Sequence, residues 1–181
     1  WLREAGVERS AVTFFSWAAL GYSFKFLWSP VIDLLPLPYL TRILGRRRAW
    51  LLVSQLLIIA AIVVMASIDP AGSQYNLTLM ALGAVMLGFS SATQDIVIDA
   101  YRIECAEESL QALLAAMYIA GYRVGMLVAG AGSLFLASYL GTKTGAYSYA
   151  AWKMTYFGMA VVMGSGVVTT LVIAEPERVN N

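Results

Sequence analysis

Five long apolar stretches dominate the chain, at residues 10–28, 49–68, 77–100, 110–139 and 151–174. A helix rises ~1.5 Å per residue and the hydrocarbon core of a bilayer is about 30 Å thick, so about 20 apolar residues make one crossing. Each stretch is of that order. The fourth is longer than a span needs, so it tilts or carries its ends out of the core. Period-two alternation is absent, which disfavours a β-barrel. The pattern predicts an all-α membrane protein with five transmembrane helices.

Composition closes the other routes. Of 181 residues, 60% are hydrophobic and 13% are charged, against about 25% charged in soluble domains. A soluble enzyme, a disordered tail and a coiled coil are excluded. The formal charge is +1, so nucleic acid is not an expected partner. One Cys and no His leave no internal disulfide, no His-based metal site and no His general base. No nucleophile–base pair is visible. The expectation is therefore no enzyme, no metal and no cofactor.

The stretches are separated by readable breaks: Pro30, Pro36 and Pro38, the Asp69-Pro70-Ala71-Gly72-Ser73 cluster, and the acidic turn at Glu104, Glu107 and Glu108. A polar loop at 141–145 and Glu175-Pro176 mark the remaining ends. The loop after the first stretch holds Arg42, Arg46, Arg47 and Arg48, whereas residues 69–76 hold no basic residue. The positive-inside tendency puts the Arg-rich loop in the cytoplasm, with the N-terminus outside and the C-terminus inside. A chain that starts outside is expected to have a span upstream, and residue 1 is Trp. The sequence thus reads as a fragment, five spans of a six-helix half. Residues 1–174 are a partial N-terminal bundle, and residues 175–181 start a cytoplasmic linker.

Lys25, Asp95, Asp99 and Arg123 fall inside spans, besides Lys153 near the start of the last. Each costs at least ~2.5–3.5 kcal/mol near the bilayer centre, so each needs a partner, water or a function. Asp95 and Asp99 are four apart and share a helix face with Gly88, Ser91 and Arg102, with Gln94 nearby. Asp99 is read as solvated by Arg102 and the interface, or as part of a polar site. Lys25 either snorkels to the headgroups or pairs with Asp95. In the fourth span Gly121, Gly125 and Ala129 form a small-residue face expected to pack on a neighbouring helix. Arg123 then points elsewhere, into a cavity. There it binds a carboxylate or phosphate with its forked guanidinium, or makes a structural bridge to Asp95.

Several strings carry a family resemblance: KFLWSP at 25–30 with Asp33, GRRRAWLLVSQ at 45–55, SATQDIVIDAYR at 91–102 and GYRVGMLVAG at 121–130. They resemble the muropeptide permeases of the major facilitator superfamily, over nearly the whole chain. Two departures stand out: Leu34 follows Asp33 where the superfamily prefers a basic residue, and the stretch from Asp33 to Gly45 is about one helical turn longer than expected. The resemblance implies a bacterial inner-membrane importer of anhydromuropeptides, proton-coupled, feeding cell-wall recycling and β-lactamase induction. It implies a C-terminal half as partner, besides substrate, protons and the bilayer. Asp33, Gly45, Arg46, Arg47 and Arg48 would be a conformational-switch loop. Lys25, Gln94, Asp95, Asp99 and Arg123 would bind substrate or couple the proton. Two other functions stay open: a related carrier, such as an acetyl-CoA transporter, and a non-transporting membrane subunit or scaffold.

Overall fold

The computed structural model describes residues 1–8, 12, 15–16, 20–141 and 146–176. Among them every regular element is helical. Residues 10–11, 13–14 and 17–19 of the expected first span lie outside the described residues. Its described part is not one helix: α1 (Leu20–Ser23) gives way to a 3-10 turn at Lys25–Leu27 and then to α2 (Ser29–Leu34). Pro30 sits in the first turn of α2, where its missing N–H costs nothing, so it starts a helix as well as ending the one before. The extra length between Asp33 and Gly45 is taken up by a short helix, α3 (Leu40–Leu44).

Four helices are long and apolar enough to cross a membrane: Arg46–Ala66, Gln74–Glu104, Glu108–Leu140 and Tyr149–Val172. We label Arg46–Ala66 α4 and Gln74–Glu104 α5. The third is α6 (Gln111–Leu127) continued by a π turn at Val128–Gly132 into α7 (Ser133–Leu140), and the fourth is α8 (Tyr149–Val172). The sequence placed a fifth span at 10–28; among the described residues no fifth helix meets the criterion. The four observed helices start two or three residues before their apolar stretches, and serine caps two of these starts, while α4 and α8 end two residues short. Ser73 accepts from Asn76 N at 3.2 Å and Ser148 from Ala151 N at 3.4 Å. At 31 residues α5 is about 46 Å long, so its ends stand outside the hydrocarbon.

The core lies between α4, α5 and α8. At the arginine-bearing end Ile32, Leu51, Ile96 and Val97 are buried together, with Trp28, Tyr101 and Ile173 against them. At the opposite end Met65, Met80 and Ala84 pack with Tyr156. There α4 and α5 approach closely: a Cβ on Gly83 would lie 2.7 Å from Met65 Cγ. The loops of that end are tied as well, since Tyr147 donates to Asp69 Oδ1 at 2.6 Å. Burial, then this bond, pushes the Tyr147 phenol above its ordinary pKa and keeps it a donor.

α6 differs from its neighbours. None of its residues is buried. The small face of Gly121 and Gly125 does not pack on a helix as expected. A Cβ at either would meet nothing within 4 Å, because both glycines border a cavity instead. Ala129 falls in the exposed π turn.

Candidate transport site and switch

A cavity of about 880 Å³ opens between α1, α5 and α6. Ser91, Gln94 and Asp95 of α5 line one side, and Tyr118, Gly121, Tyr122 and Gly125 of α6 line the other. Tyr22 of α1 borders it as well. Helical spacing explains the two faces. Residues 91, 94, 95 and 98 share a stripe of α5, as do 118, 121, 122 and 125 of α6.

Asp95 is the polar centre of this cavity. Its Oδ2 accepts from Lys25 Nζ at 2.6 Å, and its Oδ1 accepts from the Tyr118 hydroxyl. One carboxylate thus joins three elements: the 3-10 turn, α5 and α6. Of the two readings for Lys25, the structure makes the ion pair. The broken helix at Lys25–Leu27 brings that ammonium to Asp95. Gln94 also borders the cavity, and its Oε1 is buried without a hydrogen-bond partner, an acceptor that remains costly until a donor arrives.

Asp99 lies one turn further on. It pairs with Arg102 at 3.5 Å and lines a smaller cavity of about 320 Å³ together with Lys25 and Asp33. The Lys25–Asp95 pair therefore stands between the two cavities.

Arg123 is placed differently from the sequence expectation. It is exposed, does not line the larger cavity, and forms neither the bridge to Asp95 nor any ion pair with a described residue. Tyr118, Gly121, Tyr122 and Gly125 occupy the cavity-facing stripe of α6, and residue 123 is turned about 100° past Tyr122.

The residues of the expected switch loop converge at the arginine-bearing end. The Arg47 guanidinium is buried and donates to Asp33 Oδ1 at 2.6 Å, and to Glu104 Oε2 at 3.0 Å and Oε1 at 2.5 Å. Arg46 donates to the Asp33 carbonyl and to Glu104 Oε1 at 3.4 Å. Arg47 thereby joins α2, α4 and α5. Gly45 begins α4 at φ +89°, a conformation that favours glycine.

Sequence reasoning missed Tyr118 as a cavity donor, and read Glu104 and Glu175 only as charges at helix ends. For Glu104 a signal exists: a carboxylate ending a span on the same side as an arginine run. Tyr118 carries none, being one of 10 tyrosines.

Comparison with known proteins settles the family. The model of the Major Facilitator Superfamily matches residues 7–181. The chain belongs to the major facilitator superfamily. An anhydromuropeptide permease of Escherichia coli K12 is 36% identical over 176 residues, 97% of this chain and 33% of that protein. The transporter AmpG 4 of Rickettsia felis is 33% identical over 179 residues, 99% of this chain and 40% of the relative. The transporter AmpG 1 of Rickettsia conorii is 34% identical over 140 residues, covering 77% of this chain. The chain spans about a third to two fifths of the length of these curated relatives. The superfamily is one of transporters, and the apolar helices of this chain fit a multi-pass protein of the inner membrane.

Proposed function

We propose that this chain is part of a proton-coupled importer of anhydromuropeptides, with Asp95 as the proton-carrying group. The observation that carries the reading is the position of Asp95, on the cavity wall between donors from two other elements. The substrate comes from the relative named an anhydromuropeptide permease. Delivery of its cargo to the cytoplasm would serve cell-wall recycling and β-lactamase induction.

The mechanism follows from the charges. An ionised Asp95 holds Lys25 and Tyr118, and through them the 3-10 turn and α6. A proton on Asp95 removes the ion pair and turns the carboxyl from an acceptor only into a group that also donates. The α6 side of the cavity is then free to move. Because Lys25 and Asp33 line one smaller cavity, release of Lys25 bears on the Asp33–Arg47–Glu104 network. Asp33 with Gly45, Arg46, Arg47 and Arg48 would act as the switch. The Arg-rich end faces the cytoplasm in this reading.

Gln94 offers its unpaired oxygen to a substrate N–H or O–H. Arg123 is the proposed contact for a substrate carboxylate, from a face of α6 that no described helix buries. In a transporter as long as the relatives, further helices would enclose that face. Uptake of labelled anhydromuropeptide by cells lacking their own permease tests the proposal. Concentrative uptake that a protonophore abolishes is expected. Uptake of acetyl-CoA instead, or of neither compound, overturns the substrate.

A further inference from the structure

The stretch after α8 does not leave the bundle. Tyr101 of α5 donates to the Ala174 carbonyl at 2.6 Å, and the Glu175 carboxylate then reaches the start of α4. Its Oε1 accepts from Arg47 N at 2.8 Å and its Oε2 from Arg48 N at 3.1 Å. First-turn N–H groups lack intrahelical acceptors and carry the positive end of the helix dipole. Gly45, at the N-cap position, has no side chain to serve them, so a residue about 130 positions away does so. The φ of +89° favours glycine here, and a Cβ at residue 45 would also displace the Glu175 carboxylate, lying 2.3 Å from its Cδ.

The contact is returned. Arg48 donates through Nε to the Thr170 carbonyl at 2.9 Å and through Nη2 to the Leu171 carbonyl at 2.6 Å. These carbonyls lie in the last turn of α8, the negative end of its dipole. Each helix end is therefore capped by the other's chain with the favourable sign of charge. Arg47 is consequently held twice, at its backbone by Glu175 and at its guanidinium by Asp33 and Glu104.

We propose that Glu175 is a positioning residue of the transport switch: by fixing the Arg47 backbone to α8, it presents the guanidinium to Asp33 and Glu104. The α4–α8 pair is then fixed together with α5, and α2, which carries Asp33, is the part that leaves it. This rests on the transport reading, but one arm of its test does not.

That arm is a double-mutant cycle on the thermal midpoint of the full chain in detergent, using Glu175→Gln, Asp33→Asn and the double variant. Glu175 and Asp33 share only Arg47. Expected is a double variant that loses clearly less than the sum of the singles; additive losses overturn the proposal. Gln keeps one acceptor oxygen and the shape of Glu, so this variant is expected to fold. The second arm is labelled anhydromuropeptide uptake by Glu175→Gln and Glu175→Ala. A maximal rate about tenfold lower for Glu175→Ala, an intermediate one for Glu175→Gln, and a half-saturating concentration within about twofold of wild type are expected. Wild-type rates, or lost affinity at normal rate, overturn it. If the unmutated chain imports no probe, the transport reading fails, and the thermal cycle still decides the role of Glu175.

Discussion

The start of α4 and the length of α6 stand at opposite extremes. At α4 three consecutive arginines are satisfied within the described fold: Arg46 and Arg47 by Asp33 and Glu104, Arg48 by two carbonyls of α8. On α6 no residue is buried, and the helix is joined to α5 by Tyr118 on Asp95 and by Gln111 on carbonyls of residues 102, 103 and 106. Charge networks set among packed helices hold one geometry. A helix joined by a few polar contacts beside a cavity can take more than one. The contrast separates α4, α5 and α8, packed on one another, from a helix that the described residues leave uncovered.

The largest effect is expected among the packed helices. Arg47→Ala leaves Asp33 and Glu104 without their shared partner, and the loss of a buried guanidinium with its charge-assisted hydrogen bonds to these part-exposed carboxylates costs about 3 kcal/mol. The thermal midpoint in detergent should fall by many degrees. Arg47→Lys should recover only part of the loss, since a point charge cannot span two carboxylates. A variant as stable as wild type would break the contrast.

Two glycine substitutions sharpen it. Gly83→Leu drives a side chain into Met65, with a Cβ already 2.7 Å from its Cγ, at a cost of about 1–3 kcal/mol. Gly125→Leu meets nothing within 4 Å, so the thermal midpoint should hardly change, while the cavity it borders is filled and uptake falls. Equal stability losses at the two sites would show that α6 is as tightly packed as the α4–α5 contact. Tyr118→Phe is the mildest, removing one hydroxyl donor worth about 1 kcal/mol. Its expected sign is faster access of a cysteine probe at residue 121 to aqueous reagent, with folding retained. Unchanged access would remove Tyr118 as the tie between α6 and α5.

What could be read from the sequence follows the range of the physics. The four long helices were legible to within a few residues because apolar length and caps are local. The arginine run was legible as a local cluster of charge, and Gly45 through the family resemblance alone. Their partners were not: Glu104 and Glu175 lie 57 and 128 residues from Arg47. The Lys25–Asp95 pair was one of two open readings, and a break in the helix at Phe24 and Lys25 decides it. For α6 the wheel correctly separated Arg123 from Gly121 and Gly125. Which face a neighbour covers is not a property of the wheel: among the described residues the glycine face borders the cavity and Arg123 does not line it. The first expected span is broken at Phe24, before a 3-10 turn at Lys25–Leu27, and Pro30 sits in the first turn of the helix that follows.

The central claim is that Asp95 carries a proton and does not merely neutralise Lys25. The structural alternative rests on an unpaired charge being the damage, so removing both charges should repair it. Concentrative uptake of labelled anhydromuropeptide and downhill exchange should be compared in Asp95→Asn and in Asp95→Asn combined with Lys25→Met. The account predicts that both variants fold, that neither concentrates substrate against its gradient, and that downhill exchange persists. Proton-driven accumulation restored in the double variant would contradict it.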